Sequence, residues 1–208
     1  MDPFEFDQSF GQLVAGVDEV GRGALAGPLV SAAVLLDYAS LNPSILSGVA
    51  DSKKLTREKR EELYPLILKF ARQVAIVEKS VARIDEINIH WADLEANHEA
   101  LVELSGHGIT YLADGFNLPA VGGNSVHRIV KGDAKSAAIG AASIVAKVHR
   151  DRLMAELALL HPSYGWATNV GYSTRDHWAA IETHGITPHH RLSFPTLRTY
   201  RPDQPPLF

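Results

Sequence analysis

The segment Leu13–Gly27 constrains the fold more than any other part of the sequence. It begins with a short apolar run, Leu13–Val17, whose two valines favour a buried β-strand. Asp18 and Glu19 follow directly, and a buried strand that ends in paired acids is costly unless a cation neutralises them. Because Mg²⁺ prefers oxygen ligands, we expect a divalent metal at this strand end. The glycines of Gly21-Arg22-Gly23 would then let another backbone, such as a phosphodiester chain, approach closely.

The pattern of the remaining chain predicts an α/β protein in which helices cover a sheet. Gly27-Pro28 disfavours a helix, so the apolar run Pro28–Asp37 is expected to be a second strand. Thr56 and Asp85 are expected to be the N-caps of two helices. The further predicted strands are Gln73–Val81, Ile109–Ala113 and Val126–Val130, and the predicted helices run from Thr56 to about Phe70, from Asp85 to about Ser105, over Ala134–Leu160 and over Thr174–Thr183.

Acidic residues follow three of the predicted strands: Asp18-Glu19, Asp114 and Asp133. Ligands gather at strand ends in open α/β sheets, so these four acids can converge although they are distant in sequence. Converging carboxylates repel one another unless metal ions neutralise them, and two ions about 3.5–4 Å apart suit phosphodiester hydrolysis. The alternative is that a single aspartate at a strand end is a turn residue, or a helix cap in the case of Asp133.

Composition excludes several classes of function. The 208 residues suffice for one well-buried domain, no apolar run approaches the roughly 20 residues of a membrane span, and the acidic N-terminus does not predict a signal peptide. The absence of cysteine excludes disulfides and thiolate zinc sites, so we expect a cytoplasmic protein. Without cysteine, the histidine pair His189-His190 is also a poor zinc site. Since the net charge is −4, a nucleic acid would need a local basic face, and residues 128–152 supply one with six basic and two acidic residues.

Six motifs, read in order, carry a resemblance to a known family: VAGVDEVGRG, DSKKL, ADG, KGD, SAAIGAASIVAKVHRDR, and GYST with its later histidine. Together they resemble bacterial-type ribonuclease HII, a type 2 ribonuclease H, over about residues 13 to 197. The resemblance implies a ribonuclease H-like mixed five-stranded sheet flanked by helices. It also implies a catalytic core over residues 1–160, with a helical C-terminal region and tail over 161–208 packed on it within one structural domain.

The same resemblance implies an activity. Enzymes of this family use Mg²⁺ or Mn²⁺ to hydrolyse the bond on the 5′ side of a ribonucleotide, leaving a 3′-hydroxyl and a 5′-phosphate. They act on RNA–DNA hybrids and on single ribonucleotides embedded in duplex DNA, and so support ribonucleotide excision repair and RNA primer removal.

Particular residues are assigned by this resemblance. Asp18, Glu19, Asp114 and Asp133 would be the catalytic acids that bind the metal. The backbone of Gly21-Arg22-Gly23 would sense the ribose 2′-hydroxyl, which distinguishes RNA from DNA at a site. Tyr172 would pack on the neighbouring deoxyribose. Further substrate contacts are expected from Lys53, Lys54, Asn88, Lys147 and Arg150.

Some positions depart from the family pattern, and one segment suggests a partner. Asn169-Val170 replaces a usual His-Lys, Gly140 replaces an alanine and Leu192 replaces an arginine, which predicts a lower affinity for the duplex. Gln204–Phe208 resembles the short peptides that bacterial replication proteins insert into the sliding clamp, although a frayed polar tail is the alternative. The protein is otherwise expected to act as a monomer.

Two other classes of protein remain open from the residues. Gly21, Gly23 and Ala26 after a strand also fit a dinucleotide-binding fingerprint, which would make the protein an oxidoreductase. Against this, the fingerprint requires a helix where a second strand is predicted, and the paired acids would face a pyrophosphate. A nucleic-acid-binding module without catalysis is the other alternative, and the intact set of acids disfavours it.

Overall fold

In a computed structural model of the chain, the structure describes residues 1–46, 48–49, 55–104 and 106–198. Five β-strands are found in these ranges: β1 Leu13–Val20, β2 Leu29–Asp37, β3 Gln73–Lys79, β4 Ile109–Asp114 and β5 Val126–Ile129. The helices are α1 Pro3–Gln8, α2 Arg57–Phe70, α3 Val81–Glu103, α4 Ala137–Leu160, α5 Trp166–Asn169, α6 Arg175–His184 and α7 Pro195–Arg198. All five strands predicted from the sequence are present.

The strands form one sheet in the order β3-β2-β1-β4-β5. β1 pairs antiparallel with β2 and parallel with β4, and β4 pairs parallel with β5, so the predicted mixed five-stranded sheet is confirmed. Because β1, β4 and β5 are parallel, their C-terminal ends lie at the same edge of the sheet. β2 follows β1 directly as an antiparallel strand, where a dinucleotide-binding fingerprint requires a helix, so that alternative is wrong.

The small residues at the start of α4 allow this helix to pack directly on β1. A Cβ atom built on Gly16 of β1 would lie 2.3 Å from the backbone nitrogen of Ile139. Ala137, Ala138 and Ala141 of α4 are fully buried. Only glycine at position 16 therefore permits this close approach, which fixes the position of α4 along the strand that ends in Asp18.

The predicted N-cap of the long helix at Asp85 is wrong. The helix begins at Val81, and the hydroxyl of Ser80 accepts a hydrogen bond from the backbone N–H of Arg83 at 3.2 Å. Asn88 then interrupts the helix with φ 64° and ψ 164°, a strained backbone conformation that is normally adopted by glycine. Its side-chain oxygen accepts from the N–H of His90 at 2.9 Å, so Asn88 caps the second segment of α3.

Two other helices test the predicted boundaries. The helix predicted over Thr174–Thr183 is α6, and Thr174 is its N-cap because its hydroxyl accepts from the N–H of His177. α4 begins at Ala137 rather than Ala134, since Gly132–Ala134 forms a short 3₁₀ turn.

The chain divides into two compact units that interleave along the sequence. One comprises Met1–Val20, Val30–Val77 and Asp93–Val148 and contains most of the sheet. The other comprises Gly21–Leu29, Glu78–Ala92 and His149–Phe208, and it has its own apolar core around Met154, Trp166, Ile181 and Leu197. The proposed boundary at residue 160 stays a prediction. Within the described residues, no helix has the length and apolar character needed to cross a membrane.

Candidate active site

Two of the predicted acids lie side by side at the edge where the parallel strands end. Val17 of β1 is in register with Ala113 of β4, so Asp18 and Asp114 are the next residues on neighbouring strands. Residues in register direct their side chains to the same face of a sheet. The N–H of Gly132 donates to Oδ1 of Asp114 at 2.8 Å, and Asp133 is the next residue in that 3₁₀ turn and is buried. The loop after β5 is thereby attached to the end of β4.

Asp18 is a buried carboxyl group surrounded by other acids. It is 6% exposed and accepts hydrogen bonds from the N–H of Glu19 at 2.9 Å and from the Ser143 hydroxyl on α4. Burial raises the pKa of Asp18 well above its usual value, and the charges of Glu19 and Asp114 raise it further. A positive charge at this position would therefore stabilise the ionised form of Asp18.

The chemistry of the donors fits a hard divalent cation, which takes carboxylate oxygen ligands. As the side chains of the described residues stand, no group of three acids or histidines is arranged to hold a metal ion. Consecutive strand residues point to opposite faces, so Asp18 and Glu19 start on different sides of β1. The charges of Glu19 and Asp114 raise the pKa of Asp18, and a bound cation would offset this repulsion.

The loop Gly21-Arg22-Gly23 follows β1 directly and belongs to the second unit. Gly21 has φ +88°, and a Cβ atom at this position would lie 2.1 Å from Nε of Arg150. The guanidinium of Arg191 donates to the carbonyl oxygens of Gly21 at 2.6 Å and Arg22 at 3.1 Å. The backbone of the loop is thus held from its carbonyl side by a buried charge.

Arg150 differs from its predicted role as a substrate contact. Its side chain is fully buried and donates to the carbonyl oxygens of Pro28 at 2.8 Å, Val170 at 2.8 Å and Ala26 at 3.0 Å. A guanidinium used in this way has no exposed surface to offer a phosphate. We therefore correct its role to a structural one, in which it fixes the segment after the glycine loop.

Tyr172 lies beside the glycine loop within the second unit. Its ring centroid is 5.8 Å from Cζ of Arg150, and a Cβ atom built on Gly23 would lie 3.9 Å from Cε1 of the same ring. Nδ1–H of His177 donates to the carbonyl oxygen of Tyr172 at 2.9 Å. Both the ring and the backbone of Tyr172 are therefore held in place, next to Gly23.

The remaining predicted substrate contacts are placed as follows. Asn88 is exposed and its side chain caps a helix segment, while Lys147 is half-buried. Lys53 and Lys54 lie outside the described residues, as does Gln204–Phe208. For Asn88 and the three lysines, the role in substrate binding stays a prediction.

The family departure at Asn169-Val170 has a clear structural effect. The Asn169 side chain donates to the carbonyl oxygen of Tyr164 and accepts from the N–H of Gly171, and Val170 has φ 45°. These bonds close the turn that precedes Tyr172.

Sequence reasoning missed four polar residues around the acids: Ser31, Asp93, Asn97 and Ser143. Ser143 stands in a run of small residues and Ser31 in an apolar strand, so neither has a distinctive pattern. Asp93 and Asn97 are four residues apart in a helix and therefore share a face, which is a signal that could have been used.

Solved structures of similar fold identify the class of protein. The ribonuclease H2 from Pyrococcus horikoshii OT3 has a TM-score of 0.75 and 28% identity, covering 89% of this chain and 95% of that one. The structure of the PCNA:RNase HII complex from Archaeoglobus fulgidus has a TM-score of 0.72 and 28% identity, covering 94% of this chain and 98% of that one. Bst-RNase HIII in complex with Mn²⁺ has a TM-score of 0.71 and 20% identity, covering 95% of this chain and 72% of that one. This likeness shows the fold alone. The protein therefore has the fold of the ribonucleases H.

Sequence comparison identifies the family within this class. The family model for Ribonuclease HII matches residues 15–197. A Ribonuclease HII from Ruegeria pomeroyi is 50% identical over 184 residues, which is 88% of this chain and 76% of the relative. The chain belongs to the ribonuclease HII family, as its motifs indicated. It is an enzyme, a hydrolase that acts on the RNA of RNA–DNA hybrids.

Proposed function

We propose that this enzyme is an endonuclease that cuts on the 5′ side of a ribonucleotide and leaves a 3′-hydroxyl and a 5′-phosphate. Its substrates are RNA–DNA hybrids and single ribonucleotides embedded in duplex DNA, so that it serves ribonucleotide excision repair and RNA primer removal. The observation that supports this most is that Asp18 and Asp114 lie side by side at the ends of parallel strands. Burial and the acidic neighbours of Asp18 destabilise its ionised form there.

The four acids, Asp18, Glu19, Asp114 and Asp133, would hold Mg²⁺ or Mn²⁺ ions. When bound, two such ions supply an activated water and stabilise the leaving oxygen. The protein contributes the orientation of the carboxylates. The Ser143 hydroxyl holds Asp18, and the N–H of Gly132 holds Asp114, so that both begin the reaction in defined positions.

The glycine loop and Tyr172 would select the ribonucleotide. Arg191 binds the carbonyl oxygens of Gly21 and Arg22, so the loop is rigid before substrate arrives. The backbone of this loop would contact a ribose 2′-hydroxyl, and the Tyr172 ring beside Gly23 would pack on the next deoxyribose. Lys53, Lys54, Asn88 and Lys147 would contact phosphates, which positions a duplex without reading its sequence.

The test is cleavage of a labelled DNA duplex that contains one ribonucleotide, with Mg²⁺ or Mn²⁺. The wild type should give a single nick on the 5′ side of the ribonucleotide, and Asp18→Asn should lower the rate by a factor on the order of 10³. Asp37→Asn is a matched control, because Asp37 also ends a strand but pairs with Arg72 at 2.9 Å. Equal rates for the wild type and Asp18→Asn would refute the proposal.

A sliding clamp is the partner that we propose for the segment Gln204–Phe208. Its sequence supports this, and the solved Archaeoglobus fulgidus protein is in a complex with PCNA. Such a contact would bring the nuclease to newly replicated DNA without any new contact at the acids.

A further inference from the structure

A fully hydrogen-bonded asparagine lies behind Glu19. Nδ2 of Asn97 donates to Oε2 of Glu19 at 3.2 Å and to Oδ1 of Asp93 at 3.0 Å. The Ser31 hydroxyl donates to Oδ1 of Asn97. Asn97 is 2% exposed, and Asp93 and Ser31 are fully buried. A buried amide with both of its hydrogens directed at carboxylates is held strongly, because bonds to charged groups are stronger than neutral ones.

The fold brings these groups together from three elements. Glu19 of β1 is in register with Ser31 of β2, so both side chains start on the same face of the sheet. Asp93 and Asn97 are one turn apart on α3, which covers that face. The amide cannot turn over, since its oxygen would then face two carboxylates and lose the Ser31 hydroxyl. The direction of its N–H groups is therefore fixed.

The fixed amide restrains a side chain that would otherwise be mobile. Glutamate has three rotatable bonds, and a glutamate at a strand end would lose rotamer freedom each time it bound a ligand. Asn97 binds Oε2 of Glu19, and the other carboxylate oxygen is directed by that bond. Outer partners of this kind orient metal-binding carboxylates.

We propose that Asn97, supported by Ser31 and Asp93, is a positioning residue that restrains the Glu19 carboxylate, so that Glu19 loses less rotamer freedom when it binds the divalent cation. This inference rests on the proposed function, in which Glu19 is a metal ligand. Asn97 does not contact the metal or the substrate, and it acts only through the Glu19 carboxylate.

The test is the affinity for Mn²⁺ alone, measured by titration calorimetry on the full-length protein without nucleic acid. Asn97→Leu has nearly the same size and removes both donors, and its dissociation constant for Mn²⁺ should rise about tenfold. Tyr38→Phe is the matched control. It also removes a buried hydrogen bond to a carboxylate, from the Tyr38 hydroxyl to Asp7 at 2.6 Å, but it should leave the Mn²⁺ affinity unchanged.

A double-mutant cycle separates positioning from a general structural effect. If Asn97 acts through Glu19, Asn97→Leu should change the Mn²⁺ affinity by less than about twofold in a Glu19→Gln background. An equal effect in both backgrounds, or wild-type affinity in Asn97→Leu, would overturn the inference. If Asn97→Leu does not fold, Ser31→Ala replaces it, with a severalfold weaker affinity expected and an unchanged one contradicting the inference.

Failure of the proposed function gives a different result. In that case the wild type would have no Mn²⁺ site that depends on Asp18, and Asp18→Asn would not change the Mn²⁺ binding. If the wild type binds Mn²⁺ in this way and Asn97→Leu binds it equally well, the metal site stands and only the role of Asn97 is lost.

Discussion

Buried charges in this protein are stabilised in two ways. Arg150 and Arg191 have their guanidinium groups bound to backbone carbonyl oxygens of the segment Gly21–Pro28. Asp18 has hydrogen bonds from Glu19 and Ser143, but its charged neighbours are acids that raise its pKa. The guanidinium of Arg150 is therefore satisfied by the fold itself, whereas Asp18 is in an environment that favours a cationic ligand.

His190 is a buried histidine whose neutral form is required by its partners. Its Nδ1 accepts from the N–H of Thr187 at 2.9 Å, and its Nε2 lies 3.2 Å from Nε2 of His177. Nε2 of His177 also accepts from the indole N–H of Trp166 at 3.0 Å. Burial, with a smaller effect of His177, lowers the pKa of His190 to about 4.

This pKa predicts that the second unit loses stability in mild acid. The unfolded chain binds a proton at His190 below about pH 6.5 and the folded chain only below about pH 4, so the stabilisation is complete above pH 6.5 and is lost as the pH falls towards 4. Asn at this position keeps an acceptor but does not titrate. Between pH 7 and pH 4.5 the wild type should therefore lose about 2.5 kcal/mol more unfolding free energy than His190→Asn. Urea denaturation at the two pH values measures this, and identical losses would show that His190 is not the titrating group.

At the scale of elements, the sequence could predict those parts that depend on local pattern. The five strands follow from apolar runs, and the N-cap at Thr56 follows from residue type. The start of α3 could not be predicted, because the choice between Ser80 and Asp85 as the cap depends on a distant contact. The Asp85 carboxylate instead accepts from the backbone and hydroxyl of Ser193.

The same distinction applies to the candidate site. Asp18 and Asp114 could be placed together because parallel strands end at one edge, which is a property of the fold class. The burial of Arg150 could not be predicted from its place in a basic stretch, since only the folded chain brings the carbonyls of Ala26, Pro28 and Val170 around it. Likewise, the partners of Asn97 come from three separate elements.

At the scale of the whole molecule, a net charge of −4 leaves little general attraction for nucleic acid. Attachment to a clamp on the DNA would compensate by raising the effective concentration of the substrate. If the clamp proposal holds, the segment Gln204–Phe208 would affect activity although it is distant in sequence from the acids.

The clamp proposal predicts that a chain shortened by residues 204–208 no longer binds a purified bacterial sliding clamp. Cleavage of a short duplex in the absence of the clamp should be unchanged, because the acids are not altered. Surface plasmon resonance with immobilised clamp measures the first result, and Phe208→Ala is a smaller change that should weaken the same binding. Undiminished binding by the shortened chain would exclude this segment as the contact.

The central claim is that acids from distant parts of the sequence share a divalent cation. Anomalous diffraction from crystals soaked in Mn²⁺ tests it most directly. We predict a manganese peak within about 2.0–2.3 Å of carboxylate oxygens of Asp18 and Asp114, and no such peak in Asp18→Asn crystals. A manganese peak only elsewhere in the crystal, or no manganese peak at these acids when the Mn²⁺ concentration is saturating, would contradict the account.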